Sequence, residues 1–270
     1  MTTPSPHPLP WPAATLARLR GLLVDIDGTI TTEGRLSAAA YGALETLQAA
    51  GLLVIPVTGR PAGWCDLIAR FWPVAAVVGE NGAFYFRYDH ATRRMTRRYA
   101  RTDAERAADR ARLAEIGAQV LREVPGAALA ADQPYREADL AIDYCEDVAP
   151  LPADAVQRIV ELLAARGLTV KISSIHVNAW FGRYDKLTMT RRLMHEQFGV
   201  DLEGNRDALA FVGDSPNDEP MFAYFPISVA VANIAHFADS LVHRPAHVTA
   251  RAEGAGFAEF AQQLLAARSR

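Results

Sequence analysis

Cysteine and lysine are scarce in this sequence of 270 residues, with two of each. Cys65 and Cys145 are too few for a disulfide framework or a cysteine-ligated metal site. Long apolar runs are missing as well. None approaches the roughly 18 residues of a membrane-spanning helix, so no membrane partner is expected. Met1 to Pro12 holds five prolines without the basic-then-apolar pattern of a secretory signal. Residues 1–20 are read as a Pro-rich lead-in, and cytoplasm is the expected location. A strong excess of one charge is also absent. The net charge is −3, which gives no pull toward nucleic acid. What is plentiful is arginine, 26 residues against the two lysines Lys171 and Lys186. Where only a positive surface charge is wanted, this chain uses arginine, so each lysine stands out.

The apolar runs that do exist are short and end in polar groups. Gly21 to Val24 leads into Asp25-Ile26-Asp27-Gly28-Thr29, a buried strand stopping at a loop. Ser37 is positioned to cap a helix that Gly51 ends, with Tyr41, Leu44 and Leu47 as its apolar face. Leu52 to Val57 is a second strand, ending in Thr58-Gly59-Arg60-Pro61, and Val74 to Val78 a third, ending in Glu80-Asn81-Gly82. Strands alternating with helices predict an α/β fold, a Rossmann-like parallel sheet with right-handed crossovers.

The pattern then changes. Ala83 to Tyr88 and Met95 to Tyr99 read as a hairpin, Thr102 to Glu105 as a capping box opening a long helix, and Leu140, Ile142 and Tyr144 as one face of a strand. A helix over 153–166 and a strand from Leu168 to Val177 follow. Alternation by two indicates an antiparallel sheet with one covered face. Residues 84–184 are thus predicted to form an α+β cap domain inserted into a core made of 21–84 and 185–270. The arginines at 93, 94, 97, 98 and 101 are read as a solvated hairpin face, with binding of an anionic partner as the less favoured alternative. The core pattern resumes with a helix from about Asp185 and a strand from Ala208 to Val212 that ends in Gly213-Asp214-Ser215-Pro216-Asn217-Asp218.

Strand ends on one side of a parallel sheet converge, and ligands bind there. Four segments place polar groups at such ends: Asp25 and Asp27, Thr58, Lys186, and Asp214 with Asp218. Acids this close repel unless a cation sits between them, and Mg²⁺ takes carboxylate oxygens together with substrate phosphate. A lysine, a hydroxyl and Gly-associated backbone N–H groups can hold phosphate oxygens. Structural alternatives stand beside these roles. Thr58 can simply cap the next helix, and Ser215 with Asp218 can form a capping box. That box leaves Asp214 unexplained.

These four segments, in this order, resemble the four motifs of the haloacid dehalogenase-like superfamily. The long stretch between Thr58 and Lys186 places the insertion between the second and third motifs, as in the type IIB branch that includes Cof-like and sucrose-phosphate phosphatases. Glu80-Asn81-Gly82-Ala83 is similar to the segment that opens that cap. The resemblance implies that Asp25 attacks phosphorus and Asp27 acts as general acid and base. It implies a Mg²⁺ site made by Asp25, the Asp27 carbonyl and Asp214, with Asp218 as a water-mediated ligand or orienting group. Thr58, Gly59, Lys186 and Gly28 would hold the transferring phosphoryl group. Substrate contacts are expected from Asn81, His176, Asn178, Arg183 and Asn217. Ser174, His176 and Asn178 are read either as a face for sugar hydroxyls or as a solvent-facing strand, and Arg183 as a contact for a second anion. The resulting expectation is a Mg²⁺-dependent phosphatase of a small phosphorylated metabolite, a sugar phosphate. A phosphomutase of the same branch and a non-catalytic regulatory protein are the alternatives, and oligomeric state is left open.

Overall fold

In the computed structural model, residues 9–239 and 241–269 are described; the first eight residues of the lead-in lie outside them. The chain begins with helix α1 (Ala13–Ala17), strand β1 (Gly21–Val24), a small flap of β2 (Thr31–Thr32) and β3 (Arg35–Leu36), helix α2 (Ala38–Ala49), β4 (Leu53–Pro56), α3 (Ala62–Phe71) and β5 (Val77–Gly79). Ser37 accepts a hydrogen bond from Ala40 N at 3.2 Å and so caps α2 as its sequence predicts. A hairpin follows, β6 (Phe84–Asp89) and β7 (Arg94–Tyr99). Then come α4 (Asp103–Glu123), β8 (Ala128–Leu129), β9 (Asp139–Asp143), α5 (Ala153–Ala165), β10 (Thr169–Ile172) and β11 (His176–Trp180). The chain closes with α6 (Lys186–Phe198), α7 (Leu202–Asn205), β12 (Leu209–Gly213), α8 (Glu219–Tyr224), β13 (Ile227–Ala230), β14 (His247–Val248) and α9 (Glu253–Arg268).

The central sheet is parallel, in the order β14-β13-β12-β1-β4. Its inner strands β13, β12 and β1 are buried on both faces, because alternate side chains feed two apolar layers. Leu22 and Val24 of β1 pack with Leu44 of α2 and with Phe257 and Phe260 of α9. Leu23 between them packs with Met189 and Leu193 of α6 and Met221 of α8. This makes a three-layer α/β fold.

Two expectations about the insertion change. The hairpin expected to open it belongs by packing to the core: β5, β6 and β7 form one sheet, tied to β4 by a parallel bridge between Val57 and Val78. Phe84 and Phe86 enter one core layer and Tyr85 the other. The expected single strand from Leu168 to Val177 is two antiparallel strands, β10 and β11, joined by a turn at residues 173–175. That turn has no Gly or Pro; the Ser173 hydroxyl closes it by accepting from His176 N at 3.0 Å.

In the four-stranded sheet β10-β11-β9-β8, Leu140, Ile142, Val177 and Ala179 face α4 and α5. The opposite face, with Asp139, Asp143, His176 and Asn178, is buried too. It is turned to the core, because His176 and Asn178 line one pocket with Asp25 and Asp27. The arginine-rich hairpin is mostly exposed and its cations meet acids, Arg97 with Asp66 at 2.6 Å and Arg101 with Asp109 at 2.7 Å. Among the described residues no helix is long and apolar enough to cross a membrane.

Candidate active site

Asp25 continues the register of β1 for one residue, its N–H donating to Val212 O at 2.9 Å. The chain then turns, and Gly28 takes φ +70°. A Cβ there would stand 2.3 Å from Asp214 Oδ2, so only glycine lets the β1 loop approach the acid that follows β12. Asn233 holds the same pair of loops together, donating to Gly28 O at 2.9 Å and to Asp214 Oδ2 at 3.0 Å.

Lys186 opens α6, which Asp185 caps by accepting from Thr188 N at 2.7 Å. Gly82, at φ +102°, packs against this start so closely that a Cβ would lie 2.0 Å from Asp185 O. The turn after β5 thereby fixes where Lys186 projects. Its Nζ donates to Asp25 Oδ1 at 2.9 Å and to Asp218 Oδ1 at 2.7 Å, with the ammonium buried. Asp218 Oδ2 accepts from Asp214 N at 3.0 Å. The alternative reading of Ser215 and Asp218 as a capping box is not what forms. Ser215 makes no capping bond and donates instead to Asn217 Oδ1 at 2.8 Å. A buried ammonium claims the Asp218 carboxylate more strongly than a backbone N–H at a helix end.

Burial pushes the Asp25 carboxyl up to about 7, with Lys186 opposing the rise and Asp218 and Asp27 adding to it. Burial, together with the charges of Asp25 and Asp218, raises Asp214 well above the carboxylate range. Burial works against the charge of Lys186, yet Asp218 and Asp25 hold it above an ordinary lysine. One oxygen from each of Asp25, Asp214 and Asp218 lies within 4.8 Å of the others. Asp214 Oδ1 is buried with no hydrogen-bond partner. Three buried acids facing one ammonium, with an oxygen left over, form a donor set that fits a hard divalent cation such as Mg²⁺. Asp25 and Asp214 have oxygens to offer it; both Asp218 oxygens already accept hydrogen bonds and serve to orient Lys186 and Asp214.

The phosphate-side residues are buried at the same sheet edge. Thr58 Oγ1 accepts from Arg60 N at 3.0 Å, which leaves its own proton free to donate. Asn81 packs against Gly59, and its Nδ2 is a buried donor without a partner; Asn217 Nδ2 reaches Asn81 Oδ1 at 3.5 Å. His176 and Asn178 are 2% exposed, which excludes the solvent-facing reading of their strand. Asn178 donates to Asp139 Oδ2 at 3.2 Å, and Ser174 Oγ reaches Asp27 O at 3.5 Å. Arg183 is not brought in. It lies exposed in the turn before Lys186 and lines none of the cavities around Asp25 and Asp27.

Two residues carry more of the site than their sequence context indicates. Arg60, buried, donates to both oxygens of Asp27 and to Asp132 and Glu146 across the gap to the second sheet. Glu80, fully buried, accepts from the backbone N–H groups of Ala62, Glu137, Ala138 and Asp139, tying the core to the segment that leads into β9. Each has a local sign in the sequence, Arg60 directly after Thr58-Gly59 and Glu80 at the head of Glu80-Asn81-Gly82-Ala83, but neither sign shows its partners.

Residues 22–118 match the model of the haloacid dehalogenase-like hydrolase family. Over that stretch the chain resembles this family. Over 264 residues it is 27% identical to a phosphoglycolate phosphatase of Methanothermobacter thermautotrophicus Delta H, covering 92% of this chain and 99% of that one. Over 72 residues it is 40% identical to a phosphoglycolate phosphatase of Methanospirillum hungatei JF-1; that match spans 25% of this chain and 30% of the relative. The C-terminal domain of the C. albicans trehalose-6-phosphate phosphatase shares the fold, with TM-score 0.68, 16% identity, and 94% and 95% of the two chains covered. An acid at the end of β1 beside a second acid, a lysine and an acidic cluster offers the positioning and charge stabilisation that phosphoryl transfer needs.

Proposed function

We propose that this hydrolase is a Mg²⁺-dependent phosphatase of a small phosphorylated metabolite, a sugar phosphate, acting through an aspartyl-phosphate. The observation that carries the reading is the meeting of Asp25, Lys186, Asp218 and Asp214 at one buried sheet edge. A carboxylate oxygen of Asp25 attacks phosphorus, and the bond from phosphorus to the leaving alcohol breaks. Asp27 gives the departing oxygen its proton. Water then attacks the aspartyl-phosphate while Asp27 takes a proton from it, releasing phosphate and restoring Asp25. Lys186, Thr58, Asn81 and the N–H groups at Gly28 and Gly59 bear the charge of the phosphoryl oxygens. Mg²⁺ held by Asp25 and Asp214 would neutralise charge on the transferring group. The unit from α4 to β11 acts as the cap that closes this site from water.

The cavity beside Asp27, about 350 Å³ in volume, supports the sugar-phosphate class. Glu33, Glu146, Glu253 and Ser174 line it, and Arg60 is the one Arg or Lys among its described lining residues. Arg60 is already paired with Asp27, Asp132 and Glu146. Acceptors of this kind suit sugar hydroxyls; a carboxylate on the leaving group meets like charge and no free Arg or Lys among the described lining residues. Phosphate release is therefore expected to need Mg²⁺, to stop with chelator, and to show kcat/KM at least ~10-fold higher for hexose phosphates than for phosphoglycolate. Equal or better turnover of phosphoglycolate would remove the sugar-phosphate reading, and release that persists in chelator would remove the metal.

A further inference from the structure

The guanidinium of Arg60 has five N–H donors, and the contacts around it account for all of them. Nε donates to Asp27 at 2.9 and 3.0 Å, and Nη2 donates to Asp27 Oδ1 at 2.7 Å. On the other side Nη2 meets Glu146 Oε1 at 2.5 Å, while Nη1 meets Glu146 Oε2 and Asp132 Oδ2 at 3.3 Å each. The indole of Trp64 stacks 4.4 Å from the guanidinium carbon. The group is only 4% exposed. A cation so fully engaged has nothing left for a substrate anion. What it does is join an acid of the core to two acids of the cap.

The cap side of this contact is built in advance. Asp143, at the end of β9, accepts from the backbone N–H groups of Cys145, Glu146 and Asp147 at 2.8–2.9 Å, which fixes the loop carrying Glu146. His176 Nε2 on β11 lies 2.9 Å from Glu146 Oε2. Burial alone would push Glu146 up, but the neighbouring His176 and Arg60 hold it down at about 2. Glu146 therefore presents a charged carboxylate at a defined place, and it grips Arg60 from the side opposite Asp27.

We propose that Glu146, backed by His176, is a positioning residue for the general acid: acting through Arg60, it sets the direction of the Asp27 carboxylate, so that cap docking and readiness of the leaving-group proton donor are one event. This rests on the phosphatase reading above. It predicts that the contact matters most where the leaving oxygen needs a proton. An alkoxide leaving from a sugar phosphate needs one; a nitrophenolate does not.

The test is kcat/KM of the full chain with Mg²⁺, for a hexose phosphate and for p-nitrophenyl phosphate, in wild type, Glu146→Gln, Asp27→Asn and the double variant. Glu146→Gln keeps the shape and removes the charge that grips Arg60. Expected is a loss of ~10–100-fold on the hexose phosphate, the scale of a misplaced catalytic group, and a much smaller loss on p-nitrophenyl phosphate. Asp27→Asn gives the same pattern with a larger loss, ~10²–10⁴-fold on the hexose phosphate. The double variant loses no more than Asp27→Asn alone, because both changes act on one group. Equal losses on the two substrates, multiplicative losses in the double variant, or no loss in Glu146→Gln would overturn the inference. A wild type that hydrolyses neither substrate would instead bring down the phosphatase reading itself, and that control is read first.

Discussion

Asp25→Asn is expected to lower phosphate release by on the order of 10⁵-fold or more, with the fold retained. Loss of a nucleophile in a concerted catalytic set costs about 10⁶ in kcat where it has been measured. The neighbouring acids are engaged elsewhere, Asp214 with Asn233 and, in this reading, with the cation. Asp218 is held by Lys186 and by Asp214 N, and Asp27 is held by Arg60. The substitution keeps the shape of the side chain, and an amide oxygen can still accept from Lys186 Nζ, so thermal unfolding should change little. Circular dichroism melts beside phosphate-release assays check both parts. A variant that folds and still turns over at a tenth of the wild-type rate would remove Asp25 from the chemistry.

Lys186→Met is expected to damage stability as well as turnover. The ammonium is the cation that bonds to Asp25 and Asp218, and all three side chains are nearly inaccessible. Removing one partner of a buried ion pair typically costs about 3–5 kcal/mol, because the remaining charge is left uncompensated. The melting temperature should fall accordingly, and Mg²⁺ should recover part of it, since a cation bound only by the folded state stabilises by mass action. Lys186→Arg is not a rescue. Its planar fork does not fit the place of a compact ammonium between two carboxylates. Unchanged melting in Lys186→Met, with or without Mg²⁺, would contradict the charge balance described for this site.

The residues that announce themselves in the sequence are those whose role shows in their neighbours along the chain. Asp25 follows a short apolar run, Asp214 follows another, Thr58 a third, and Lys186 is rare against an arginine background. Those features are enough to place the four segments on one sheet edge. Arg60 is different. It is one of 26 arginines, and what distinguishes it, Glu146 and Asp132, lies far along the chain and comes near only when β9 is folded over the core. Glu80 stands in a recognisable segment, but its partners are main-chain N–H groups that have no sequence signature. The turn at residues 173–175 is masked by apolar alternation on both sides of two serines. The hairpin expected in the cap carries a readable sign of its true place in Phe84, Tyr85 and Phe86: three successive aromatics need cover on both faces, which a central sheet provides and an exposed lid does not. Arg183 misleads in the opposite direction. Its position beside Lys186 in sequence suggests a place in the site, but the turn at Gly182 points the chain outward there.

The central claim is that phosphorus passes through Asp25. The measurement that addresses it most directly is acid-quenched peptide mass spectrometry of the Asp27→Asn variant after mixing with a hexose phosphate and Mg²⁺. Without Asp27 to activate water the covalent intermediate should persist, so a phosphoryl adduct is expected on Asp25 and nowhere else, absent from the Asp25→Asn protein and absent when chelator replaces Mg²⁺. An unmodified Asp25 in protein that is turning over, or an adduct on another residue, would contradict the account.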